Sequence, residues 1–163
     1  MSTIEPFQSS RLDVLPPPVS YNGPMRQAIH HLHVPTGGRG LIDITAPIRQ
    51  WVDAGNIALG LLTVFCRHTS ASLLIQENAD PDVCADLETY FETIAPEAPG
   101  RYRHDTEGLD DMPAHIRTAL TQTQLSIPVE RGKMVLGTWQ GIYLFEHRQA
   151  GSRRDIVLHL IGE

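Results

Sequence analysis

Apolar and polar positions alternate imperfectly from Gln27 to Val34, through Ala28, Ile29, His31, Leu32 and His33, and strand character returns over Leu41–Ile44. Two short β runs around the Gly-rich Pro35–Gly40 segment predict a hairpin. Thr45 reads as the N-cap of a short helix through Pro47, Ile48, Trp51 and Val52, ended by Gly55. Ile57–Cys66 is apolar on both faces, as in a central strand covered on both sides. β character resumes over Ala71–Ile75. Asp80-Pro81 is a strong helix start, and Val83, Leu87, Tyr90, Phe91 and Ile94 then share one face. A second helix begins near Met112-Pro113, capped by Asp110 or Asp111, with an apolar stripe of Met112, Ile116, Ala119 and Leu120. Ser126–Glu130, Lys133–Leu136, Ile142–His147 and Asp155–Ile161 predict four further strands, with turns at Arg131-Gly132, Gly137–Gly141 and Ala150–Ser152. Mixed helices and antiparallel-looking strands predict an α+β fold rather than a regular βαβ array.

Before this region, residues 1–24 form a Pro-rich arm with Pro16, Pro17 and Pro18 in an extended stretch. Residues 25–163 are then a single domain. The 163 residues suffice to bury a core without staples. A net charge of −6 argues against a nucleic-acid partner. The longest strongly apolar run, Ile57–Cys66, is too short to span a membrane, and the first residues carry no signal-peptide pattern. A cytosolic location follows as the expectation, with Cys66 and Cys84 reduced.

Histidine is the unusual count: eight, against four Phe, four Tyr and two Trp. No Walker A, G-x-G-x-x-G, G-x-S-x-G, H-E-x-x-H or C-x-x-C is present. Three polar segments stand out instead. Cys66–Ser70 turns abruptly polar where a buried strand exits, placing His68, Thr69 and Ser70 there. Tyr102–His115 carries His104 in an acidic loop and His115 in the first turn of the next helix. A helix N-terminus favours neutral imidazole, the form that binds metal or accepts a proton, and its free N–H groups suit a phosphate. Leu136–Ile142 places Thr138, Trp139 and Gln140 between glycines, and Glu146 and His147 follow. Glu146 needs a partner, for which Arg153 and Arg154 are candidates. His30, His31, His33 and His159 read as scaffold or interface, and His147 stays open.

His68-Thr69-Ser70-Ala71, Gln76–Val83, His104 through Asp111–Ile116 and Leu136–Ile142 together resemble the YjbQ-like family. Its members are described as secondary thiamine-phosphate synthases or as proteins of unknown function. The resemblance covers roughly residues 25–163. It implies a mostly antiparallel, barrel-like β core with two to three helices, assembled as a homotrimer. It also implies a polar cleft lined by the histidine motifs. The activity it implies joins a hydroxymethylpyrimidine pyrophosphate to a thiazole phosphate, releasing pyrophosphate. The departing pyrophosphate calls for Arg154 or Lys133 and for N–H donors at Met112–Ala114. A divalent ion on His68, His104 and His115 is the alternative source of charge. Three imidazoles suit Zn or a similar transition metal better than Mg. His104, His115, Glu146 and Asp105 are the candidate acid–base groups. Thr69, Ser70, Asn78, Thr138, Gln140, Lys133 and Arg154 are the candidate contacts to a small phosphorylated metabolite. The competing readings are a metal-dependent phosphoester hydrolase and a non-catalytic trimer that binds a metal or anion.

Overall fold

The computed structural model describes residues 22–163. The predicted arm thus lies outside the described residues except for Asn22–Pro24, which are exposed and neither helical nor extended in a sheet. The elements are β1 (Arg26–Pro35), β2 (Gly40–Asp43), α1 (Thr45–Ala54), β3 (Leu59–Cys66), β4 (Ala71–Glu77), α2 (Pro81–Ile94), α3 (Asp111–Leu120), β5 (Gln124–Glu130), β6 (Lys133–Met134), β7 (Gln140–Glu146) and β8 (Arg153–Gly162). Every ladder among them is antiparallel. One sheet has the order β1-β8-β3-β5-β6 and the other β2-β7-β4. A bridge between Leu73 and Gln122 joins them at one seam. The two curl round one core as a half-barrel, an α+β fold with three helices. Leu62, Val64, Ile127, Ile156 and Leu158 from the larger sheet meet Leu73, Ile142 and Leu144 from the smaller, and Ile48 and Val52 of α1 join them. Each such side chain, fully buried, contributes roughly 1.5–3 kcal/mol of transfer free energy.

Several predicted elements differ in partner or facing. β1 and β2 do not form a hairpin: β1 pairs with β8 and β2 with β7. The Gly-rich segment instead carries the chain from one sheet to the other. Gly38, at φ +133°, allows this passage, since a Cβ there would lie 2.6 Å from the Gln149 carbonyl oxygen. Thr45 lies inside α1, where its amide donates to the Asp43 carboxylate (2.7 Å) and its hydroxyl accepts the Ile142 amide (2.7 Å). β3 is central, but only one face is covered. Leu62, Val64 and Cys66 are buried, whereas Leu61 and Phe65 are 42% and 43% exposed. β6 stops at Met134 because the Leu136 amide turns back to the Met134 carbonyl.

The helices bury less apolar surface than their stripes predict. In α2, Val83, Leu87 and Phe91 are half-buried, while Tyr90 and Ile94 are exposed. In α3 the stripe is displaced: Pro113, Ala114, Arg117 and Thr118 face inward, and Ala119 and Leu120 face out. Periodicity identifies a face but not the neighbour it meets, and the inward surface of α3 meets polar groups.

β3 and β8 approach closely at their ends, where Gly60 and Gly162 are register partners. A Cβ on Gly162 would lie 2.0 Å from the Leu59 carbonyl oxygen, and one on Gly60 would lie 2.4 Å from that of Ile161. Gly162→Ala should therefore lower unfolding free energy in urea by about 1–3 kcal/mol. An unchanged midpoint would show that the strands separate freely there.

Candidate functional site

Antiparallel pairing gathers two of the three polar segments, together with the end of β7, at one end of the sheets. In the β4–β7 ladder, Ala71 sits opposite Glu146, so the residues before β4 adjoin those after β7. Val34 and Pro35 sit opposite Arg154 and Arg153, and Cys66 sits opposite Ile156. The 67–70 turn, the 147–149 segment, the start of β8 and the start of α3 therefore converge.

A carboxylate and two imidazoles meet there. Asp111 is 2% exposed. Its Oδ2 lies 2.7 Å from His104 Nε2 and 3.5 Å from His115 Nε2. One candidate ligand atom from each residue falls within 4.8 Å of the others. His115 Nδ1 is 2.9 Å from the Thr69 carbonyl oxygen, which only accepts. Nδ1 therefore carries a proton, and neutral His115 keeps the Nε2 lone pair free towards Asp111 and His104. Arg148 fixes the carboxylate from behind. Its Nη1 donates to Asp111 Oδ1, its Nε to Asp110 Oδ2 (3.0 Å) and its Nη2 to the Glu107 carbonyl (2.8 Å). Burial would raise the Asp110 carboxyl, but the Gln149 amide and the Arg148 guanidinium hold it below its usual value.

A hollow of about 390 Å³ opens beside this group, lined in part by His68, Thr69, His115 and Thr118. His68 does not join the ligand set. Its Nε2 accepts the Asp155 amide at 2.7 Å, which puts the proton of neutral His68 on Nδ1, facing Arg154 Nη1 at 3.4 Å. Burial, then the charge of Arg154, lowers its pKa. Asp111 takes the place predicted for His68 beside His104 and His115.

Glu146 is fully buried, and its two oxygens are saturated. Arg154 donates through Nη2 (2.5 Å) and Nε (2.7 Å), the Arg148 amide through N (3.0 Å) and Thr36 through its hydroxyl (2.8 Å). Burial alone would raise its pKa, but these donors, Arg154 foremost, hold it low. Glu146 is thus an anchor, not a base, and the paired Arg154 is not a free phosphate ligand. The predicted N–H donors at Met112–Ala114 reduce to Met112, since Pro113 has no N–H and Ala114 donates to the Asp110 carbonyl. Asp105 is exposed on the preceding loop. Ser70 contributes its carbonyl, which accepts the His147 amide.

The other predicted contacts lie elsewhere. Glu77 pairs with Gln140 at the far end of the β4–β7 ladder, so Asn78, Thr138 and Gln140 sit roughly 20 Å from Glu146 at about 3.3 Å per residue. Gln140 Oε1 accepts the Gly137 amide there. Lys133 pairs with Asp53 at 2.6 Å. Of the histidines assigned to scaffold or interface, His30 stacks on Trp51, His33 bonds Asp155, and His159 approaches Gln27. His147 is buried against Phe145 and bonds Ser72 at 2.8 Å. Burial, then the charge of Arg117, pushes its pKa down to about 3. Cys66 is buried with its thiol bonded to the Ala71 carbonyl, and burial pushes its pKa up to about 11. The sequence gives Asp111 only as a helix cap, not as a member of the cluster, and assigns Arg148 no role. The available signal was the i, i+4 spacing of Asp111 and His115 on a helix.

The YjbQ family model, UPF0047 protein YjbQ-like, matches residues 30–163. The chain belongs to this family. UPF0047 protein sll1880 of Synechocystis is 50% identical over 145 residues, covering 89% of this chain and 99% of its own. UPF0047 protein YjbQ of Escherichia coli O157:H7 is 46% identical over 116 residues, covering 71% and 83%. A crystal structure of a YbjQ-like protein of unknown function from Sulfolobus solfataricus superposes with a TM-score of 0.79 at 26% identity, covering 85% and 99%. No helix among the described residues of this UPF0047 chain is long and apolar enough to cross a membrane.

The buried imidazole of His147 sets a pH dependence. The unfolded chain binds a proton on His147 near pH 6.5, whereas the folded chain binds it only near about 3. Between these values the unfolded state holds more protons, so stability falls as pH falls. From pH 6 to 5, above the carboxylate range, unfolding free energy should drop by about 1 kcal/mol. The drop should flatten in His147→Gln, measured by urea unfolding. Equal slopes in the two proteins would assign the acid sensitivity elsewhere.

Proposed function

We propose that this UPF0047 protein is an enzyme acting on a small phosphorylated metabolite where His104, Asp111 and His115 meet. The observation that carries the reading is the Asp111 carboxylate set between two imidazoles, with the His115 tautomer fixed by the Thr69 carbonyl. Two nitrogens and one carboxylate oxygen suit Zn or a similar transition metal better than Mg. His104, Asp111 and His115 would hold such a divalent ion, which would supply positive charge beside a departing phosphate or diphosphate. Arg148 orients Asp111, and in the absence of an ion His104, nearly half exposed at its side chain, is the group placed to exchange a proton with solvent.

The reaction proposed is secondary thiamine-phosphate synthesis, joining a hydroxymethylpyrimidine pyrophosphate to a thiazole phosphate with release of pyrophosphate. One observation favours a second reading, phosphoester hydrolysis. Two phosphorylated substrates need two cationic subsites, yet Arg154 and Lys133 are both paired with carboxylates. Hydrolysis needs only one.

Protein purified without a metal-affinity tag should contain about one transition metal per chain by elemental analysis. It should form thiamine phosphate from both precursors, and Asp111→Asn or His115→Ala should reduce turnover by about 100-fold or more. Metal-dependent turnover of a generic phosphoester without thiamine phosphate would favour the hydrolase. Bound metal with neither turnover would leave a non-catalytic binding protein.

Self-association as a homotrimer is part of the proposal. The outer face of the larger sheet carries Ile29, Leu61 and Phe65, respectively 65%, 42% and 43% exposed. Leu61 and Phe65 pair with Ile161 and Val157, two apolar pairs on either side of the Thr63–His159 pair, on a face of the kind that subunits cover. Light scattering should give three times the 18.1 kDa chain mass, and Phe65→Lys should reduce it to one. A monomeric native protein would overturn this part.

A further inference from the structure

A second pocket, of about 300 Å³, lies between the end of α2, α3 and the 147–149 segment. Arg39, Glu92, Pro96, Glu97, Arg117 and Gln149 line it, and none of them lines the hollow beside His115. Arg117 follows His115 by two residues, which turns it about 200° round the helix, to the opposite side of α3. It is 1% exposed. Its Nη2 donates to the Ala95 carbonyl at 2.9 Å, but Nε and Nη1 have no partner among the described residues. Nor does any carboxylate among them form a salt bridge with it.

A buried guanidinium with free N–H groups and no carboxylate bonded to it is costly. Both unpartnered nitrogens are shut away from solvent. The neighbours show what the pocket accepts. Arg39 donates through Nη1 to Glu92 (3.0 Å) and through Nη2 to Glu97. The second oxygen of Glu97 accepts from Gln149 Nε2 at 2.6 Å. A carboxylate from the proline-flanked 96–99 loop thus already rests on a bed of N–H donors. Both carboxylates serve Arg39, and Arg117 is left without one. Burial, then the charge of Arg39, lowers the Arg117 pKa, while Glu92 and Glu97 act the other way from within the same pocket.

We propose that this pocket binds a compact oxyanion, an inorganic phosphate or a small carboxylate, between Arg117 and Arg39. Glu97 is the internal occupant that such an anion displaces. The pocket volume is at the lower limit for ligand sites and admits nothing much larger. The site is separate from the histidine cluster and does not depend on what that cluster catalyses.

The test is calorimetric titration of the His104→Ala/His115→Ala double variant, free of metal, so that binding at the cluster cannot contribute. Inorganic phosphate is one probe and succinate the other. One anion per chain should bind. Glu97→Gln, which removes the competing charge, should tighten binding at least tenfold. Arg117→Met should weaken it at least tenfold and still fold, because an apolar side chain there replaces an uncompensated buried charge. Arg39→Met, at a more exposed position, should weaken binding similarly and decides the matter if Arg117→Met does not fold. Binding of phosphate alone or of succinate alone supports the site and names its ligand. No binding of either probe to Glu97→Gln, or binding unchanged by loss of either arginine, overturns the proposal.

Discussion

The buried ion pair between Glu146 and Arg154 is the interaction on which the functional end of the molecule depends. Glu146 ends β7 in the smaller sheet and Arg154 begins β8 in the larger, so the pair ties the two sheets across the core. Its geometry is a fork on a carboxylate whose remaining bonds come from Thr36 and the Arg148 amide. Removing one partner from such a pair costs about 3–5 kcal/mol, because the other charge stays buried. Arg154 also faces His68, and Glu146 fixes the backbone of Arg148, whose guanidinium then reaches Asp110 and Asp111. The orientation of Asp111, and with it the relation between His104 and His115, thus descends from a bond made elsewhere.

Charge is distributed with little slack. Against a net charge of −6, Arg148 and Arg154 at the candidate site are each held by carboxylates. A site for phosphorylated substrates would normally concentrate free cations, and these two are committed to structure. That is the physical reason a divalent ion on His104, Asp111 and His115 fits the proposed chemistry. Arg117 is the exception, a guanidinium folded away from water without a counter-ion.

Much of the architecture was legible in the chain. Alternation located the strands, Asp80-Pro81 marked the start of α2, and the Asp82 amide does bond to the Asp80 side chain. Half of the candidate site was legible too, since His104 and His115 do come together. Partners were not legible. The Gly-rich segment after β1 looks local, yet β1 closes on β8, more than a hundred residues away in sequence. Leu136–Ile142 looked like part of the same site as the histidines, but antiparallel register places it at the opposite end of β7.

By itself, the sequence determined which segments are strands and helices and which residues carry usable chemistry. These are properties of neighbouring residues, set by backbone preference, side-chain periodicity and capping. Only the tertiary structure decided that Asp111 rather than His68 completes the cluster, that Glu146 is saturated, and that Arg117 is buried alone. Those outcomes depend on which distant atoms share a space, and in a sheet of long-range pairings that is set by register and by the burial of charge, neither of which is a local quantity.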